Sequence, residues 1–576
     1  MFKESPNVGL IRPLIIFVAI IAIALTMACH PAETYNGEAA DIIFTGEHIL
    51  TMDGSDVDAV AVQDGLISAT GTTEHIMVRK GENTRLIELG DNALLPGFID
   101  SHGHITAVAR FLNFANIASP PVGPVTTISD IQNTMKTHIA KGDFEPGSWI
   151  IGSGYDDSLL EEKQHPTRYD LDQISNDNPI VLIHASIHLV VVNSKGLEIL
   201  GIGPETDDPK GGHIQREPGT NNPNGVLEET AAFKALGVSA DNNEETFLDA
   251  FRGALKSYAS YGITTAQDGG SSLADVTLLE KAANESPFEI DVTLYPFLMG
   301  LTEDERAAVS TKDYNKGVRL AGVKFILDGS IQGKTGYLRD PYVHPTHGKE
   351  EDYRGYPTIP KEVVENWLHP MLERNVPVLM HANGDAAIEL LIDSVESGLQ
   401  KVGKADHRTV IIHSQMIRDD QLDRVKTLGL IPSYFSAHPY FWGDWHRTIL
   451  GEERAARISP IRSTVERDIP FTIHNDAPVV PPDMMHLLWV TVNRETRSGY
   501  VLGEAQKATV MEALNAMTLG GAYQLFEEDL KGSITAGKQA DFVILEKNPL
   551  TVNPSTLKDI EIIETIARGK TVYASN

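Results

Sequence analysis

Between residues 93 and 478 the chain passes through eight short stretches rich in apolar and β-branched residues. They are ALLPGFIDSH (93–102), GITTAQDG (262–269), EIDVTLYPF (289–297), VRLAGVKFILDG (318–329), PVLMHANGD (377–385), TVIIHSQ (409–415), LIPSYFS (430–436) and PFTIHNDAP (470–478). Helix-patterned segments separate them. Strands alternating with helices make βαβ units and a parallel sheet, and eight such strands are the number on which a (β/α)8 barrel closes. The fold class expected is therefore α/β, a TIM-like barrel. One connection is far longer than the rest, and it holds two more apolar runs, SWIIGSGY (148–155) and NPIVLIHAS (178–186). A connection of that length carries structure or function of its own, so 106–260 reads as an insertion after strand 1.

The two ends have a different texture. ADIIFTGEHILTMDG, AVAVQDGLISATG and TRLIELGDNALLPGF are short apolar pieces split by Gly, Asp and Asn, and KGSITAGKQADFVILEKNPL and IIETIARGKTVY repeat that pattern near the C-terminus. This is β-meander patterning, and domain termini often lie close together. Residues 36–92 and 526–576 are expected to be the halves of one small β-sandwich, with the barrel over 93–525. Residues 1–35 stand apart. Lys3 and Arg12 precede an apolar run at 14–25, LIIFVAIIAIAL. It is shorter than the roughly 20 residues a spanning helix needs and fits a secretory signal. Cys29, the only cysteine, follows Ala28 just after the run, which resembles a bacterial lipobox. The resemblance departs at Thr26, where lipoproteins usually have Leu. It implies export and a lipid anchor on Cys29 at the periplasmic face of a membrane; an ordinary signal or an uncleaved anchor are the alternatives. One cysteine excludes an intrachain disulfide. A formal charge of −31 argues against a nucleic-acid partner, which would need a basic face. A small-molecule substrate is the partner expected, with self-association left open.

Active sites of such barrels form at the C-terminal ends of the strands. The first strand ends in His102 and His104, the second in Asp268, and the fourth carries Lys324. The fifth carries His381, the sixth His413 and the eighth Asp476. In a chain with 20 histidines one H-x-H arises by chance roughly once, so the pair alone means little; its company gives it weight. Alternate residues on a strand share a face, so His102 and His104 point together, with Asp100 beneath to orient an imidazole. Imidazole with carboxylate is the ligand set of zinc and its neighbours. Lys324 is no ligand as an ammonium ion, yet its setting, GVKFILDG, is too apolar for a solvated lysine.

Taken together, PGFIDSHGH, GITTAQDGG, GVKFILDGSIQGKTGYL, HANGDAAI, VIIHSQ, HPYFWGDWHRTILGEERA, HNDAPVVPPD and GSITAGKQADFVILEKNPL resemble the amidohydrolase superfamily. The likeness is to its YtcJ-like branch, which includes N-substituted formamide deformylases. The resemblance implies a divalent metal centre of one or two ions, zinc by default, in the barrel mouth. His102 and His104 would bind one ion, and His381 and His413 the second. Lys324, carboxylated, would bridge the two, and Asp476 would touch the first ion and shuttle protons. Two divalent ions bring four positive charges, and carbamate, carboxylate and hydroxide would remove three. Tyr155 and Asp156 fall where the branch lines its pocket, and His188 resembles a substrate-side motif of the branch; His474, two residues before Asp476 on the same nominal face, is expected to support a ligand or touch substrate, and His438 to shape the pocket, with packing as the alternative for each. The function expected is hydrolysis of a C–N bond in a linear or N-substituted amide. Cyclic amides, lactones and other esters are the alternatives within enzymes, and a metal-free surface binding protein is the alternative outside them.

Overall fold

The computed structural model describes residues 37–575, except 143, 240–242, 345–349 and 404–405. Residues 1–35, with Cys29 and its expected anchor, lie outside the described residues. Among the described residues no helix is long and apolar enough to cross a membrane.

The eight barrel strands are β1 (Phe98–Ile99), β2 (Ile263–Ser271), β3 (Asp291–Pro296), β4 (Val318–Leu320 and Val323–Ile326), β5 (Val378–Ala382), β6 (Val410–His413), β7 (Ile431–Tyr434) and β8 (Thr472–Ile473). All pair in parallel. They form two sheets and not one closed ladder. One sheet holds β1 to β3 with the first half of β4, and the other holds the second half of β4 with β5 to β8. The break falls at Gly322, where a Cβ would lie 2.3 Å from the Pro377 carbonyl oxygen and 2.6 Å from the Tyr295 ring. Overpacking of this kind costs about 1–3 kcal/mol. Gly322→Ala is therefore expected to lower the denaturation midpoint; an unchanged midpoint would show that the break tolerates a side chain. The second seam lies between β8 and β1. There Asp476 N–H donates to the His102 carbonyl (3.1 Å) and His104 N–H to the Ala477 carbonyl (2.7 Å). These bonds tie the strand tips together where the chain has left regular strand geometry.

Two expected boundaries move. Residues 93–102 are not one barrel strand, because Ala93–Pro96 pairs antiparallel with Phe542–Leu545 and only Phe98–Ile99 joins β2. Pro96 and Gly97 make the crossing: proline has no N–H to continue a ladder, and a Cβ at Gly97 would meet Thr264 at 2.3 Å. The insertion also ends earlier than 260. Helix Glu244–Ser260 buries Phe247, Phe251, Leu255 and Tyr258 in the main barrel core, a helical stripe that leads directly into β2.

The remaining insertion is a six-stranded mixed sheet running from Ala115–Asn116 to Pro223–Glu229 and Gly212–Arg216, followed by helix Thr230–Ser239. The ends of the chain supply two further four-stranded sheets. They share a core of Phe44, Val60, Leu94, Phe542 and Ile566, with the rings of Phe44 and Phe542 5.1 Å apart.

Candidate active site

Strand alternation places most of the candidate residues. On β4 and β5, Val323, Phe325, Val378 and Met380 pack outward into the helical layer. Lys324, Ile326, Leu379 and His381 therefore face inward, in register across the pair. His413 breaks the rule. Val410 and Ile412 share the inward cluster with Leu379, so continued alternation would turn His413 away from the mouth. Instead His413 and Ser414 adopt left-handed backbone, φ +74° and +48°, and Asp476 does the same at φ +58°. Non-glycine residues seldom enter that region, and such strain gathers where a side chain must be aimed. It aims both of these into the barrel mouth.

The six residues expected to bind metal come together there. Asp476 Oδ1 lies 3.6 Å from His102 Nε2 and 3.4 Å from His104 Nε2, and Oδ2 lies 3.9 Å from His413 Nε2. Lys324 Nζ donates to His102 Nε2 at 2.8 Å. His413 Nε2 is 3.1 Å from His381 Nδ1. All except His104 are buried. Burial holds His102, His381 and His413 well below the usual histidine range, and a neutral imidazole is the ligand form. Burial also pushes the Lys324 ammonium down to about 7, against the pull of Asp476 and Asp268.

The arrangement fits a divalent cation. His102, His104 and Asp476 present ligand atoms within 4.8 Å of one another. Asp476 Oδ1 is buried without a hydrogen-bond partner, a cost that a carboxylate bears when a cation satisfies it. Supporting groups fix the ligands. Gln267 Oε1 accepts from His102 Nδ1 (2.9 Å), which turns the Nε2 lone pair into the mouth, and the Gly329 carbonyl accepts from His381 Nε2 (3.2 Å). Asp100, pushed up to about 7 by burial, accepts from Asn475 N–H (3.2 Å); it holds the β8 turn, and its role as an imidazole orienter is taken by Gln267. Asp328, also pushed up to about 7 by burial, accepts from three backbone N–H groups, those of Asn383, Gly384 and Tyr337. Gln267 and Asp328 are not anticipated from the sequence: glutamine is not a metal-ligand type, and Asp328, which closes the fourth strand segment, spends its oxygens on backbone N–H groups. The available signal for Gln267 was its place beside Asp268 in the second strand.

The substrate-side candidates divide. His188 lines the cavity above the site, 4.8 Å from the His381 ring, and its Nδ1 pairs with the buried Glu229 carboxylate at 2.8 Å. Burial alone would lower it, but Glu229 raises it above the ordinary value. His474 lies behind the ligands, between Ser433 Oγ (2.8 Å) and His413 Nδ1 (3.3 Å). His438 is buried against Phe435, with ring centroids 4.5 Å apart. Tyr155 and Asp156 do not line this cavity. Tyr155 bonds His165 (3.1 Å), while Asp156 accepts from Ser158 and, at 2.6 Å, from Trp442 Nε1. Asp156 belongs to a separate group with Asp157 and His184, and the Tyr155 ring packs edge-on against His184, centroids 5.1 Å apart. Both oxygens of Asp156 are already satisfied, and the Ser186 N–H donates to His184 Nδ1 (3.0 Å) while His184 Nε2 reaches Asp157 (3.1 Å). The bond from Trp442 Nε1 to Asp156 ties the insertion to helix His438–Leu450.

The cavity measures about 600 Å3 and reaches Lys324, His381, His413 and Asp476 at its floor. It lies at the C-terminal ends of the strands, where barrel chemistry is done.

Comparison with known proteins gives the family and a fold likeness. A family model described as "Amidohydrolase family" matches residues 85–573. An N-substituted formamide deformylase of Arthrobacter pascens is 24% identical, with 92% of this chain and 98% of the relative covered. The putative amidohydrolase YtcJ of Bacillus subtilis is 26% identical, over 92% and 99%. In fold, the chain is similar to an uncharacterized metal-dependent hydrolase from Pyrococcus horikoshii, with a TM-score of 0.70 at 22% identity, over 89% and 99% of the two chains. The family match spans the insertion, every strand that contributes to the mouth and the C-terminal part of the small β domain, and the chain belongs to the amidohydrolase family.

Proposed function

We propose that this protein is a metal-dependent hydrolase that cleaves the C–N bond of a linear or N-substituted amide. What carries the reading is the Asp476 carboxylate, with its unpartnered buried oxygen between His102 and His104 and facing the His381–His413 pair. In this reading His102, His104 and Asp476 hold one divalent ion, zinc by default. His381 and His413 would hold a second, and Lys324, carboxylated on Nζ, would supply a further anionic ligand. An ion so held supplies Lewis acidity, polarising a carbonyl oxygen and lowering the pKa of a water towards neutrality. Asp476 accepts the proton of the attacking water and returns it to the departing nitrogen, which would otherwise leave as a poor anionic group. Gln267 keeps His102 in its binding tautomer. The insertion and the loop after β3 wall the cavity and exclude bulk water from the carbonyl.

Removal of metal by a chelator is expected to abolish hydrolysis, and stoichiometric Zn2+ to restore it. The measurement is metal content by elemental analysis beside rates on N-acyl and N-formyl amines, with lactones and esters as the competing class. Protein purified under metal-replete conditions that keeps no metal would overturn the reading. Faster cleavage of the esters than of every amide would move it to the alternative substrate class.

A further inference from the structure

A chain of hydrogen bonds runs from His413 away from the mouth and into the barrel interior. His413 Nδ1 lies 3.3 Å from His474 Nε2, and His474 Nδ1 lies 2.8 Å from Ser433 Oγ. Thr472 Oγ1 lies 2.7 Å from Ser433 Oγ and 2.8 Å from Gln524 Oε1. Gln524 is fixed in turn: its Nε2 donates to the Ser101 carbonyl at 2.8 Å, which leaves Oε1 as the end facing Thr472. Ser433 and Thr472 are partners in register across β7 and β8. All of these side chains are buried. Burial pushes His474 down to about 3 and holds His413 well below the usual histidine range, so each ring is neutral and carries one proton.

Thr472 has one hydrogen and two acceptors, and its choice propagates. When it donates to Ser433, Ser433 donates to His474 Nδ1, and His474 donates from Nε2 to His413 Nδ1. His413 then carries its proton on Nε2 and donates to His381 Nδ1, 3.1 Å away. That nitrogen is bare, because His381 Nε2 donates to the Gly329 carbonyl. Both histidines are thereby engaged with each other, and Gln524 Oε1 is left unpaired, a cost for a buried acceptor. When Thr472 donates to Gln524 instead, Ser433 donates to Thr472 and accepts from His474 Nδ1. His474 Nε2 now accepts from His413 Nδ1, and His413 Nε2 stands bare beside His381 Nδ1. Two facing lone pairs repel unless a cation lies against them, and they are the ligand form of both rings. The two arrangements hold the same number of protons. We propose that Ser433, Thr472 and Gln524 are positioning residues that set the tautomer of His413, and that cation uptake in the mouth switches the chain from the first arrangement to the second. The proposal rests on the metal-binding reading of the mouth.

The test reads the tautomer of His474, which is not itself a ligand. The full chain carrying 15N-labelled histidine is compared by NMR before and after loading with Zn2+, and His474→Gln identifies the resonance. The signal is expected to move from the Nε2–H pattern to the Nδ1–H pattern. Thr472→Val lets Ser433 donate to His474 as in the first arrangement but removes its acceptor in the second, and Gln524 keeps its bond to Ser101. Zn2+ affinity of that variant, read by competition with a chelator, is expected to fall about 10–100-fold, as when a group behind a metal ligand is lost, whereas Thr472→Ser, which retains the hydroxyl, restores it. A His474 signal that is the same with and without bound Zn2+ overturns the relay and leaves the metal reading in place, and so does a Thr472→Val protein of wild-type affinity. Should Thr472→Val fail to fold, the wild-type spectra decide alone. A wild type that takes up no Zn2+ overturns the metal reading and the switch together.

Discussion

Replacing Asp476 by asparagine is expected to lower kcat by about two to four orders of magnitude, the range over which a positioned acid–base group acts. Asparagine has the same shape and keeps one oxygen, so the left-handed turn at φ +58° is preserved; asparagine tolerates that region well. What is lost is the proton acceptor. The substitution removes a buried charge whose Oδ1 has no hydrogen-bond partner, so it strands no donor. The thermal midpoint of the metal-free protein is therefore expected to hold or to rise. Asp476 is also a candidate ligand, 3.4 Å and 3.6 Å from two imidazoles, so metal content must be measured beside the rate. The informative outcome is a large loss in kcat at unchanged KM with metal retained, which marks an interaction made only in the transition state. A variant that keeps metal and most of its kcat would take the proton shuttle away from Asp476.

The strand count and the inward residues were readable in the chain because each follows from a period of two. Lys324 and His381 face the mouth by simple alternation, and His474 turns inward behind the ligands. Strand-end counting brings His413 near the mouth, but alternation alone turns it outward, and the positive φ that brings it back has no signature in VIIHSQ. The boundary at Gly97 was misplaced for a related reason. ALLPGFID reads as one apolar run, and hydropathy cannot show that its first half pairs with Phe542–Leu545, some 450 positions later in the chain. The helix at Glu244–Ser260 was legible from its Phe247, Phe251, Leu255, Tyr258 stripe, yet it was absorbed into the long connection. Tyr155 and Asp156 show the opposite error. Their residue types suit a pocket, but their hydrogen-bonding capacity is satisfied elsewhere, by His165, Ser158 and Trp442, and satisfaction of that kind is visible only in three dimensions.

Lys324 carries the sharpest conflict between stability and function. It is 1% exposed on a barrel strand, its nearest partner is His102 Nε2, and burial pushes it down to about 7. A base whose folded value lies below its unfolded value makes the unfolded chain hold more protons between the two, so stability rises with pH across that window. Lys324→Met fills similar volume without the amine. In the metal-free protein it is expected to raise stability, by about 1–4 kcal/mol if it behaves as buried charges replaced by apolar residues do. Because the lysine penalty is complete near pH 7 and fades towards its unfolded value near 10.5, the gain should shrink as pH rises. Activity should move the other way and fall about 100-fold or more, as when a metal site loses a supporting group. Lys324→Ala separates charge from shape, because it leaves room for a small carboxylate. Propionate or acetate is expected to restore part of the rate to Lys324→Ala but none to Lys324→Met. Thermal melts across pH 6–10 with paired rate measurements read both effects. A Lys324→Met protein that is less stable and still active would show the lysine to be a structural hydrogen-bond donor to His102, and the carboxylated bridge would have to be abandoned.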